Sequence, residues 1–75
     1  MVLKNLLDNA RTKGIISMEI MSYSGPQTIT VCYDKGEYIA DHTNQYGSVI
    51  ETFTAYSTNS ALDKIRGMYM RASRA

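Results

Sequence analysis

A single cysteine, Cys32, rules out a disulfide within the chain. A single histidine, His42, leaves a zinc site short of the four nitrogen and sulfur ligands it normally takes. Without either staple, 75 residues lie near the size where one hydrophobic core only just outweighs chain entropy. Oligomerisation is the remaining supplement, so a homodimer is expected. No apolar run approaches the roughly 20 residues of a membrane span. The first apolar group (Val2, Leu3, Leu6, Leu7) is interrupted by Lys4, Asn5 and Asp8, unlike an export signal. An unpaired cysteine and no export signal predict a cytoplasmic protein. One proline and 44% apolar residues describe a globular chain and not a disordered one.

Net charge is only +1, but the charges are sorted along the chain. Residues 1–13 carry Lys4, Arg11 and Lys13 against Asp8, and residues 63–75 carry Lys64, Arg66, Arg71 and Arg74 against Asp63. Between them, Glu19, Asp34, Glu37, Asp41 and Glu51 face Lys35 alone. The ends are basic and the middle is acidic.

Leu3, Leu6, Leu7 and Ala10 recur at the spacing of one helical face, predicting a helix over 2–13 that ends at Lys13-Gly14. At Ile15 the period becomes two. Ile16, Met18 and Ile20 alternate with polar residues over 15–22, as in a strand with one face buried. Ser24-Gly25-Pro26 marks a turn. A second strand covers 28–33, with Ile29, Val31 and Tyr33 on one face and Thr28, Thr30 and Cys32 on the other. Asp34-Lys35-Gly36-Glu37 is a tight hairpin, and Tyr38 to Ala40 form the third strand. Asp41 to Gly47 reads as a polar turn, followed by a strand over 48–56 whose two faces are equally half apolar. Such a strand is buried on both sides or reserved for a partner. A last helix spans about 60–73, with N-cap candidates in Thr58-Asn59-Ser60 and a capping-box spacing from Ser60 to Asp63. Its apolar stripe is Leu62, Ile65, Tyr69 and Ala72, with Met68 beside it. The interior Gly67 weakens this helix by about 1 kcal/mol relative to Ala unless close packing requires it. The fold class is α+β: one domain over 1–75, ordered α-β-β-β-β-α, with an antiparallel meander and both helices on one face.

No catalytic group stands out. His42 lies in Asp41-His42-Thr43-Asn44, ordinary composition for a surface turn. Cys32 sits inside a strand, away from the cationic setting that activates a thiol. Asp34, Glu37 and Asp41 flank one hairpin but match no metal-ligand spacing. Gly14, Gly25, Gly36, Gly47 and Gly67 are scattered singly, so there is no phosphate loop. No cofactor, metal or enzymatic activity is expected.

Six tyrosines and five methionines favour recognition of protein, because tyrosine is amphipathic and methionine adapts to a partner. Tyr33, Tyr38 and Tyr69 have core positions open to them, while Tyr23, Tyr46 and Tyr56 fall at turns or strand ends and are expected exposed. The leading expectation is a non-enzymatic module that occludes a site on a host protein or nucleoprotein complex. Asp34, Glu37 and Asp41 would meet a basic groove, and Tyr38 and Tyr46 would anchor the contact. The alternative uses Lys64, Arg66, Arg71 and Arg74 on nucleic-acid phosphates. The element order resembles double-stranded-RNA-binding domains, though without their Lys/Ala-rich helix start, and the near-neutral charge is low for that role.

From Thr28 to Arg71 the sequence TITVCYDKGEYIADHTNQYGSVIETFTAYSTNSALDKIRGMYMR resembles the strand, hairpin, strand and helix layout of HicB-type antitoxin domains. Its Ser57-Thr58-Asn59-Ser60-Ala61 matches the point where that family starts a helix, while the Pro-Gly-Cys signature between strands is missing. In size and layout the chain is also similar to small phage-encoded inhibitors, anti-CRISPR proteins among them. Both resemblances imply a protein that acts by binding, of the kind carried by phages or mobile elements.

Overall fold

In the computed structural model, which describes residues 3–75, the chain runs α1 (Leu3–Lys13), β1 (Ile15–Ser22), β2 (Gly25–Asp34), β3 (Glu37–Thr43), β4 (Val49–Ala55) and α2 (Thr58–Ser73). The helix start expected at Val2 lies outside the described residues. The four strands form one antiparallel sheet in the order β1-β2-β3-β4, and both helices pack on the same side of it.

Turn chemistry sets the register. Lys35 and Gly36 form a two-residue turn with φ of 49° and 84°, the primed geometry whose twist matches that of the strands. It places Asp34 opposite Glu37, and the ladder then runs to Thr28 opposite Thr43. β2 and β3 are longer than their sequence suggested, because ladder bonds recruit flanking polar residues, while β1 spans the expected 15–22 and β4, expected over 48–56, is one residue shorter at each end. β2 begins at Gly25, so the first turn is Tyr23-Ser24, with Ser22 opposite Gly25. β3 continues through Asp41, His42 and Thr43, which corrects the turn expected from Asp41 onward. A register shift at His42/Thr43 then carries β4 past Ile50.

Alternation puts Met18, Ile20, Ile29, Val31, Tyr38, Ala40 and Ala55 beneath the helices, all buried. α1 adds Leu6, Leu7 and Ala10 to this core. α2 adds Ala61, Ile65, Met68 and Ala72, a stripe turned slightly from the one expected, with Leu62 and Tyr69 at the margin. The small Ala61 and Ala72 let the helix approach the sheet closely. Ser57, and not Ser60, caps this helix: its Oγ accepts from the Ser60 backbone N–H at 3.1 Å.

Candidate interaction surface

Among the described residues, none forms a covering layer on the other side of the sheet. Its cross-strand rows follow from the register: Ile15, Cys32, Ile39 and Thr54; then Ser17, Thr30, Asp41 and Thr52; then Glu19, Thr28, Thr43 and Val49. Asp34 and Glu37 close the hairpin end of the same side. Threonine dominates because a half-exposed pleated surface favours β-branched side chains that tolerate water. The middle row is tied together by hydrogen bonds. The Ser17 and Thr30 hydroxyls lie 3.1 Å apart, and Thr52 Oγ1 donates to Asp41 Oδ1 at 2.7 Å.

No strand carries a lysine or arginine. Glu19, Asp34, Glu37 and Asp41 therefore share an open face, and Lys35, at the hairpin tip, is the one cation in the turns that join the strands. The remaining cations belong to α1, α2 and the Arg74 cap that follows it. The charge blocks of the sequence thus become two sides of the molecule, an acidic sheet and a basic helical layer.

The expected partner-binding residues are only partly brought together. Asp34, Glu37 and Asp41 do share the open face, though Asp41 lies in mid-strand and not at the tip. Tyr38 is a correction. It points the opposite way, is 2% exposed, and its hydroxyl pairs with Thr58 Oγ1 at 3.2 Å. One residue from Glu37 along a strand means the other face, so Tyr38 is core and not an anchor. Its ring meets Tyr33 edge-on at 4.8 Å, with the Arg11 guanidinium 5.5 Å above Tyr33. Tyr46 is 84% exposed, but it occupies the β3–β4 loop, about 20 Å along β3 from the acidic hairpin. Tyr23 and Tyr56 are exposed as expected.

The basic helix is partly committed to the fold. Lys64 Nζ donates to the Thr54 carbonyl at 2.7 Å. Arg71 makes a bidentate pair with Glu51, Nε to Oε2 at 2.8 Å and Nη2 to Oε1 at 2.7 Å. Arg66 has only a long, exposed contact of 3.8 Å with Asp63.

Beneath the sheet lies a polar chain that the sequence did not announce. His42 is 2% exposed and Gln27 is fully buried on the neighbouring strand. Gln27 Nε2 donates to Gln45 Oε1 at 2.8 Å, which leaves Gln27 Oε1 as an acceptor for His42 Nε2–H, also at 2.8 Å. His42 Nδ1 is buried without a hydrogen-bond partner, 3.7 Å from Glu51 Oε2. The hydrogen bond from Arg71 holds the Glu51 carboxyl below the usual carboxylate range, against the opposing pull of burial. The available signal was parity: Gln27 and His42 alternate in phase with Ile29 and Ala40, on the buried side.

Among the described residues, no group of three or more His, Cys, Asp or Glu side chains is placed to hold a metal ion, and no helix is long and apolar enough to cross a membrane. Comparison of the chain with protein-family models, with curated proteins and with solved structures finds no match.

Proposed function

We propose that this chain is a non-catalytic protein-binding module, an inhibitor or adaptor that lays the open face of its sheet over a basic surface of a host protein. One observation carries the reading: the uncovered face bears Glu19, Asp34, Glu37 and Asp41, and the strands contribute no cation. Uniform sign on a broad face steers association and rejects acidic surfaces, so it serves specificity as well as rate. The hydroxyl rows between the carboxylates supply hydrogen-bonding groups with few rotamers to freeze. A non-catalytic role agrees with the setting of the only imidazole, His42, which is sealed in the core.

The test is co-purification from host lysate with two sets of substitutions. Glu19→Gln, Asp34→Asn, Glu37→Gln and Asp41→Asn together neutralise the open face; Arg66→Gln and Arg74→Gln remove the two basic residues of α2 and its cap that make no close bond to the sheet. A nuclease-resistant protein partner is expected to be lost with the first set and kept with the second. Loss with the second set alone, of material that nuclease removes, would hand the role to nucleic-acid binding through α2.

A further inference from the structure

The two edges of the sheet are treated differently. In β4 the outward carbonyl of Thr54 is occupied by Lys64 Nζ, and the irregularity at His42/Thr43 breaks the strand's regularity. A lysine and a bulge are both devices that stop an edge from pairing with another chain. β1 has neither. Its eight residues pair with β2 without a break, from Ile15 opposite Cys32 to Ser22 opposite Gly25, and it contains no proline, lysine or arginine.

The outward groups of β1 can be identified. Tyr33 N–H donates to the Gly14 carbonyl at 2.9 Å, so the pair just before Ile15–Cys32 is a hydrogen-bonded one. Antiparallel pairs alternate, so Ile16, Met18 and Ile20 bond to β2, while Ile15, Ser17, Glu19 and Met21 turn their N–H and C=O groups to the edge. Among the described residues, none of these four backbones has a partner outside the strand ladder. At the two ends of this row stand Ile15 and Met21, 56% and 70% exposed.

We propose that β1 is the dimerisation edge, pairing antiparallel with β1 of a second copy about a twofold axis at Met18. In that register Ile15 faces Met21 of the second copy and Ser17 faces its Glu19. All four outward backbones meet outward backbones, the exposed apolar side chains meet each other, and no two carboxylates are opposed. A shift of two residues, centred on Glu19, sets the two Glu19 side chains against each other and is disfavoured. Side-chain parity is kept across the seam, so the two open faces join into one eight-stranded face and the helical layers stay on the other side. The pairing is independent of the partner proposed for that face.

The test is sedimentation of the purified chain across a concentration series. The expected species has twice the 8.4 kDa chain mass. Ser17→Pro removes an outward N–H and no backbone bond to β2, losing only the exposed hydroxyl contact with Thr30, and is expected to give monomer with an unchanged circular dichroism spectrum. Two further variants read the register. Ser17→Glu sets two carboxylate pairs in opposition and should weaken the dimer about tenfold, whereas Ser17→Lys sets each lysine against Glu19 of the other copy and should tighten it by a similar factor. A wild-type chain that stays monomeric at its solubility limit overturns the proposal. So does a dimer that tolerates Ser17→Pro, or one that responds alike to Glu and Lys at residue 17.

Discussion

Gln27 and His42 occupy adjacent central strands, and the ring Nε2 lies 2.8 Å from the amide Oε1 with both side chains shut away from water. Each satisfies the other, and Gln27 passes the connection on to Gln45. Gln27→Ala therefore strands the imidazole N–H in the core, and a loss of about 1–3 kcal/mol is expected in chemical denaturation. A change below that range would show that water or a rearranged Gln45 takes over the bond.

The Glu51–Arg71 pair sets a pH dependence of definite sign. The folded carboxyl is held below its ordinary value near 4.5, so the unfolded chain takes up the proton more readily. The stability that the pair contributes is complete above that value and is lost as pH falls toward the folded one. Thermal melts of the wild type and of Glu51→Gln should differ most at neutral pH and converge on acidification. A gap that stays constant down to about pH 3 would remove the pair from the account.

Gly67 and Arg71 compete for one space. A Cβ built at Gly67 comes within 3.0 Å of Arg71 Nη1, because the guanidinium lies across the helix on its way to Glu51. Gly67→Ala should gain up to about 1 kcal/mol of helix propensity when Arg71 is already alanine, and less in the wild type. A double-mutant cycle checks this, and additive effects would mean that the side chain steps aside freely.

Tyr38→Phe removes the hydroxyl contact with Thr58 and leaves the ring in place, so a loss of about 1 kcal/mol is expected with no change in partner capture. Tyr46→Ala should leave stability unchanged: melting temperature stays within experimental scatter, because the side chain packs on no core residue. A partner lost with Tyr38→Phe would relocate the binding surface to the helical side.

Element order, the antiparallel meander and the shared face of both helices were legible because each rests on local signals. Period-two alternation in Ile16, Met18 and Ile20, the Lys35-Gly36 turn and the leucine spacing of α1 depend on near neighbours only. What escaped was decided by distant residues. Asp41-His42-Thr43 resembles a turn in isolation, yet β2 and β4 on either side supply ladder bonds that hold it in a strand. The inward face of β4 was ambiguous because Glu51 sits on the buried side, where Arg71, twenty residues on, makes it acceptable. Tyr38 was misjudged for a related reason: Thr58 supplies the partner that lets its hydroxyl be buried. Of the proposed interaction surface, the acidic composition was visible, while its gathering on one face required the register.

The strand order in space is also the order along the chain, and this bears on how the molecule assembles. Each strand bonds only to its sequence neighbours, so ladder formation closes short loops and can proceed quickly from the central hairpin outward. The two helices lie at opposite ends of the chain, yet they touch each other over the sheet. Their docking joins the most distant segments, so removal of either helix is expected to bare part of the sheet's apolar face and leave it prone to aggregate.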